Sequence, residues 1–125
     1  EPYYINADSI QFSRVVTNLL NNAIRHNPKE TTIVLSMEEE TSGVRIIIAD
    51  DGNVIPDDIS RNIFEPFAKG DSSRRSGGSG LGLSIAKKVI NMHGWDLKFV
   101  SRPDDRNTKA FVIWIKKDKQ DYIYG

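Results

Sequence analysis

Three short stretches hold side chains suited to a phosphorylated ligand. Asn18, Asn22, Arg25 and His26 are separated from the first by four, seven and eight positions, offsets that share one face of a helix. An Asn amide oxygen is a hard, neutral ligand suited to Mg2+, which takes one or two protein ligands and leaves its other positions to water and phosphate. Arg25 would contact phosphate, and His26 would stack or hydrogen-bond nearby; the plain alternative is a solvated helix face. The second stretch is Asp50-Asp51-Gly52-Asn53-Val54-Ile55-Pro56. Its leading carboxylate can accept a hydrogen bond from an exocyclic amine such as that of adenine, although the same residues also make an ordinary strand-to-helix turn. The third is Gly77-Gly78-Ser79-Gly80-Leu81-Gly82-Leu83. Glycines let the backbone approach a ligand closely, and the amides opening a helix favour an anion. Lys69, Arg74 and Arg75 add positive charge just upstream. The run neither follows a strand as GxGxxG nor contains Gly-Lys-Ser/Thr, so Rossmann and Walker readings fail. A flexible surface loop would explain the glycines but not their alternation directly before a helix.

The elements that must position these groups follow from periodicity. Phe12, Val15, Val16, Leu19, Leu20 and Ala23 form an apolar stripe on a helix predicted over Asp8–His26. Asp8 or Ser9 can cap its start, and Asn27-Pro28 ends it. Two strands, Thr31–Met37 and a largely buried Val44–Asp50, are predicted around a polar turn at Gly43. A short helix with acids in its first turn follows at Asp57–Phe64, then a mobile glycine- and serine-rich loop at Ala68–Gly80. A second long helix spans Leu81–His93 with Ile85, Val89 and Met92 on one side. Strands at Asp96–Ser101 and Lys109–Ile115 complete the pattern, and Lys116–Gly125 reads as a fraying tail. Helices interleaved with hairpin-paired strands predict helices layered on one face of a mixed or antiparallel sheet.

The 125 residues fit one domain, 1–125, and carry 17 basic and 17 acidic side chains. The zero net charge argues against nucleic acid as the main partner, since phosphate backbones select a basic excess. No cysteine is present, which excludes disulfides, thiol nucleophiles and cysteine metal sites. No signal-peptide pattern or apolar run of about 18 residues occurs, so no direct membrane contact is expected of this domain; a membrane segment in a longer parent stays open.

Taken in order, the stretches resemble the catalytic, ATP-binding domain of sensor histidine kinases, within the group that includes gyrase-, Hsp90- and MutL-type ATPases. Asn18-Leu19-Leu20-Asn21-Asn22-Ala23 is similar to the family's N box, Asp50-Asp51-Gly52 to its first glycine box, Phe64-Glu65-Pro66-Phe67 to its F box and Gly78-Ser79-Gly80-Leu81-Gly82-Leu83 to its second glycine box. The resemblance covers about Asp8 to Ile115. It implies an α/β (α+β) two-layer sandwich, the Bergerat fold, with a mixed sheet of about five strands covered on one face by three helices.

By the same resemblance, Asn22 is the Mg2+ ligand, Asn18 lies beside the phosphates, and Arg25 and His26 approach the phosphates and the sugar or base. Asp50 is the acceptor for the adenine amine and Gly52 forms its turn, with Val54 and Ile55 beside it. Ala68–Ser76, with Lys69, Arg74 and Arg75, is the lid over ATP. Phe64 and Phe67 anchor its near end, and Gly78, Ser79, Gly80, Leu81, Gly82 and Leu83 close its far end at the phosphates. Two positions depart from the family: Val54 stands where a second glycine is usual, so the pocket would narrow or the turn change, and Trp95 stands where a Gly-Gly pair would end, at a place read as structural. Asn18 occupies the place of the water-activating glutamate of gyrase-type relatives, and an amide cannot take that proton, so ATP should be bound but poorly hydrolysed. The implied partners are the dimerisation and phosphoacceptor domain of the same kinase and a downstream response regulator. The acceptor histidine is expected to precede Glu1, on a parent anchored in a bacterial membrane with this domain in the cytoplasm. A protein serine kinase of the anti-sigma type and a non-catalytic binding module with a degenerate pocket are the alternatives.

Overall fold

The structure is a computed structural model that describes residues 7–25, 27–65 and 82–117. Helix α1 spans Ser9–Arg25, strand β1 Ile33–Glu40, strand β2 Gly43–Asp50, helix α2 Asp57–Ser60, helix α3 Gly82–Met92, strand β3 Asp96–Ser101 and strand β4 Lys109–Lys116. The strands form one sheet in the order β1-β2-β4-β3, and every neighbouring pair is antiparallel. The two-layer α+β sandwich expected from the sequence is borne out, with four strands among the described residues.

Asp8, rather than Ser9, caps α1: its Oδ1 accepts the backbone N–H groups of Ile10 and Gln11 at 3.1 and 3.0 Å. At the other end the Asn27 amide donates to the Ala23 carbonyl at 2.7 Å, satisfying one of the acceptors left open where a helix stops. Val15, Leu19 and Ala23 of the predicted stripe are buried. Val15 and Leu19 meet Ile48, Leu97, Phe111, Ile113 and Ile115 from the sheet and Leu83, Ala86 and Ile90 from α3 in one apolar cluster. Alternation along β4 sends Lys109, Phe111, Ile113 and Ile115 to the same face, so the row that makes the core ends in a charged residue.

On α3 the sequence offers two apolar sides, and the buried one is Leu83, Ala86 and Ile90. Ile85 and Met92, read as its apolar side, are 50% and 68% exposed and line a surface groove with Phe64 and Lys88; only Val89 of that trio packs partly against the core. Beyond α2, successive turns carry the chain to residue 65, placing Ile63 in the core and Phe64 edge-on to Phe111 at 6.1 Å.

Candidate functional site

The site is built where β2 ends. Asp50 is 3% exposed and sits directly opposite Lys109 in the β2–β4 register. Facing positions of an antiparallel pair bring their side chains together, and here the Lys109 ammonium lies 2.9 Å from Asp50 Oδ1, with both side chains almost fully buried. Burying two charges is costly unless the remaining protons and lone pairs also find partners. The ammonium does find them: it donates to Asn27 Oδ1 at 2.7 Å and to the Asn53 carbonyl. Asp50 Oδ1 additionally accepts the Gly52 N–H at 3.0 Å.

The turn after Asp50 is clamped from three directions. On the β1 side, Asp51 Oδ1 accepts the Thr32 N–H at 2.7 Å. On the β4 side, the Thr108 N–H donates to the Asp50 carbonyl at 2.9 Å, and the Thr108 hydroxyl donates to the Gly52 carbonyl at 2.8 Å. From just past the end of α1, Asn27 Oδ1 accepts the Asn53 N–H at 3.1 Å. A carboxylate on so constrained a turn is held in one orientation before any ligand arrives, the condition under which binding groups work best.

Asn18 and Asn22 are half-buried on α1, whereas Arg25 in its last turn is exposed. Gly52 and Ile55 are half-buried, Ile55 packing against the core, and Val54 is 46% exposed. Among the described residues Arg102 alone of the non-glycines has a positive φ, so valine fits the turn at position 54 without backbone strain. Gly82 opens α3 half-buried, and Leu83 lies within the core. His26, Phe67, Lys69, Arg74, Arg75, Gly78, Ser79, Gly80 and Leu81 lie outside the described residues. The structure thus joins the end of α1 to the Asp50 turn; Ala68–Ser76, expected to be a lid, and the glycine run up to Leu81 lie outside the described residues.

Sequence reading missed Lys109, Asn27 and Thr108. Lys109 was read only as the first residue of a strand and Asn27 only as a helix stop. The available signal was a lysine opening an otherwise apolar row, Lys-Ala-Phe-Val-Ile-Trp-Ile; a charged residue on a core-facing row is rarely buried unless paired. His93 has a structural role: its Nε2 accepts the Asp8 N–H at 3.1 Å, its Nδ1–H donates to the Val89 carbonyl at 2.8 Å, and its ring stacks on Trp95 at 5.0 Å.

What the arrangement can do chemically is limited and specific. Among the described residues no group of three or more His, Cys, Asp or Glu converges as a metal cage. A half-buried asparagine such as Asn22 fits a metal that arrives on phosphates and keeps most of its shell. Among the same residues nothing donates to Asp50 Oδ2, so this buried oxygen remains an acceptor for a donor brought by a ligand.

Comparison with known proteins gives a match over residues 7–119 to the family described as histidine kinase-, DNA gyrase B-, and HSP90-like ATPase. The chain is 37% identical over 99 residues to the alginate biosynthesis sensor protein KinB of Pseudomonas aeruginosa, which covers 79% of the chain and 16% of KinB; the chain thus spans about a sixth of that relative. A mycobacterial sensor histidine kinase, MprB, superposes with a TM-score of 0.80 at 30% identity, covering 92% of this chain and 78% of the other. The histidine kinase ThkA, solved in complex with a response regulator protein, superposes with a TM-score of 0.71 at 26% identity over 93% of this chain and 31% of its own.

Proposed function

The chain belongs to the family of histidine kinase-, DNA gyrase B- and HSP90-like ATPases, and on that premise we propose that it is the catalytic domain of a histidine kinase, binding Mg2+-ATP and presenting the γ-phosphoryl group to a histidine on the kinase's dimerisation domain in two-component signalling. The observation that carries this reading is Asp50: a buried carboxylate, fixed on a clamped turn beside α1, with one oxygen left for a ligand's amine.

The roles divide by element. Asp50 accepts the adenine amine. Asn22 supplies the protein's ligand to Mg2+, which when bound offsets phosphate charge, and Asn18 and Arg25 lie along the phosphates. His26, Lys69, Arg74, Arg75 and the glycine run through Gly82 complete the enclosure. Asn18 cannot act as a base toward water, which favours transfer to a protein side chain over hydrolysis. Phosphoryl transfer needs little covalent chemistry from the protein, and positioning with electrostatic stabilisation suffices. A response regulator is the downstream partner, as in the solved complex of ThkA.

Calorimetric titration with a non-hydrolysable ATP analogue, with and without Mg2+, tests the site. Asn22→Ala and Asp50→Ala should each weaken binding about tenfold or more, the loss expected of ~1.4 kcal/mol. The Asn22 variant should also lose most of the Mg2+ dependence. Unchanged affinity in both variants overturns the assignment.

A further inference from the structure

Lys109 and Asp50 divide their hydrogen-bonding capacity unequally. An ammonium has three donors and no acceptor. Lys109 donates to Asn27 Oδ1 at 2.7 Å and to the Asn53 carbonyl, and its ammonium lies in an ion pair 2.9 Å from Asp50 Oδ1. Its side chain is 5% exposed. Asp50, by contrast, has one oxygen held from two directions, by Lys109 and by the Gly52 N–H, and another to which nothing among the described residues donates.

Fold stability does not call for this arrangement. The row Phe111, Ile113, Ile115 is apolar and fully buried, and an apolar residue at 109 would continue it. Replacing a buried ion pair by apolar side chains is often neutral or stabilising, so such a pair is weak evidence of a role in stability. What the pair does accomplish is local: it fixes which Asp50 oxygen is available, and it ties up a lysine that could otherwise have greeted a ligand there.

We propose that Lys109 is a positioning residue for base recognition: it pins Asp50 through Oδ1 so that Oδ2 alone faces the ligand. With its ammonium paired to Asp50 and hydrogen-bonded to Asn27 and Asn53, it makes the site accept a base amine and reject a base carbonyl at that place. A free lysine beside a carboxylate would do the opposite, since an ammonium readily donates to a purine O6. The caged lysine leaves a carbonyl facing only a carboxylate oxygen. Sites built to bind a ligand N–H discriminate strongly against analogues that lack it. This inference rests on the proposed contact between Asp50 and the base.

The test compares ATP with ITP, which carries a carbonyl where ATP has the amine, by calorimetry in the presence of Mg2+. The wild-type chain should prefer ATP by about tenfold or more, and Lys109→Met should shrink that preference by about fivefold or more. Asp50→Asn should abolish the preference. In the Asp50→Asn background Lys109→Met should change the ratio by less than about twofold, because a residue acting through another has no separate effect once the other is gone. Melting curves establish that each variant is folded; if Lys109→Met is not, Lys109→Gln carries the same expectation. An unchanged ATP/ITP ratio in a folded Lys109 variant, or tighter ATP binding in Lys109→Met, overturns the role of Lys109 while leaving the Asp50 contact standing. Absence of any ATP/ITP preference in the wild-type chain overturns the Asp50 contact itself and this inference with it.

Discussion

A Cβ added to Gly52 would lie 2.1 Å from Asn27 Oδ1, 2.3 Å from Asn27 Cγ and 2.9 Å from Asn27 Cβ. The whole asparagine side chain, not only its tip, occupies that space, and it is held by Ala23, Lys109 and Asn53 at once. Gly52→Ala therefore has to expel Asn27 and open the cage around Lys109. We expect a loss of about 2 kcal/mol in chemical denaturation, the usual scale of a forced shift in a packed site, together with weaker ATP binding. A stability within about 0.5 kcal/mol of wild type, the range of an ordinary surface change, would show that Asn27 moves aside freely. Val54 illustrates the limit of arguing from residue type. It stands where the family pattern has glycine, which suggested a narrowed pocket or an altered turn, but its backbone needs no positive φ and its side chain is half open to solvent. Asp50 was legible in the sequence because an acid ended an apolar run before a glycine turn. Lys109 and Asn27 were not, because their meeting depends on a strand register and a helix end brought together across 82 positions, and no local pattern encodes that.

Elements were legible to the extent that their periodicity had one solution. Helix α1 has a single apolar stripe and one Asp8 cap, and its observed start at Ser9 lies one residue from the predicted one. Helix α3 has two apolar sides, and the choice between them was made by α1 and the sheet rather than by the helix. Its placement is reinforced outside the core: Lys87 donates to Asp96 Oδ1 at 2.8 Å and to the Leu97 carbonyl at 2.7 Å, tying α3 to the start of β3. The Lys87 hydrogen bond, aided by its charge, holds the Asp96 carboxyl below its ordinary value of 3.8 against a smaller opposing effect of burial. A folded-state value below the unfolded one means that this tie stabilises the protein fully above 3.8 and is lost as pH falls through the lower, folded value. Asp96→Asn should therefore lower the melting temperature by a constant amount near neutrality, and the gap should close on acidification below 3.8. The side chain of Asp96 is 39% exposed, so solvent screening keeps the effect modest. A gap that stays constant through the acid range would assign the loss to packing instead.

At the scale of the molecule, the ordered boxes from Asn18 to Leu83 carried the family, and the interleaving of helices with hairpins carried the layering. What they could not convey is which faces close the site, because this depends on how β2, β4 and α1 converge. The convergence has a consequence for the proposed reaction. Transfer from ATP needs a nucleophile, and the described histidine, His93, has both ring nitrogens engaged, with Val89 and with Asp8. It is a strut between the ends of two helices, braced by Trp95, which in turn meets Phe12 edge-on at 6.0 Å. Such a ring has no lone pair to offer without breaking the contact that joins α3 to α1. The chain incubated with γ-labelled ATP and Mg2+ should therefore remain unlabelled. Adding a helical dimerisation fragment of the same kinase that carries a histidine should place label on that fragment. Loss of the label in acid and its survival in base identify phosphohistidine, whereas the reverse identifies a serine phosphate and a kinase of the anti-sigma type. His93→Ala in the same assay separates a strut from an acceptor: it should lower the melting temperature and leave the label on the fragment. Label accumulating on the chain alone, and lost with His93, would make this ring the acceptor and require the junction of α1 and α3 to open during turnover.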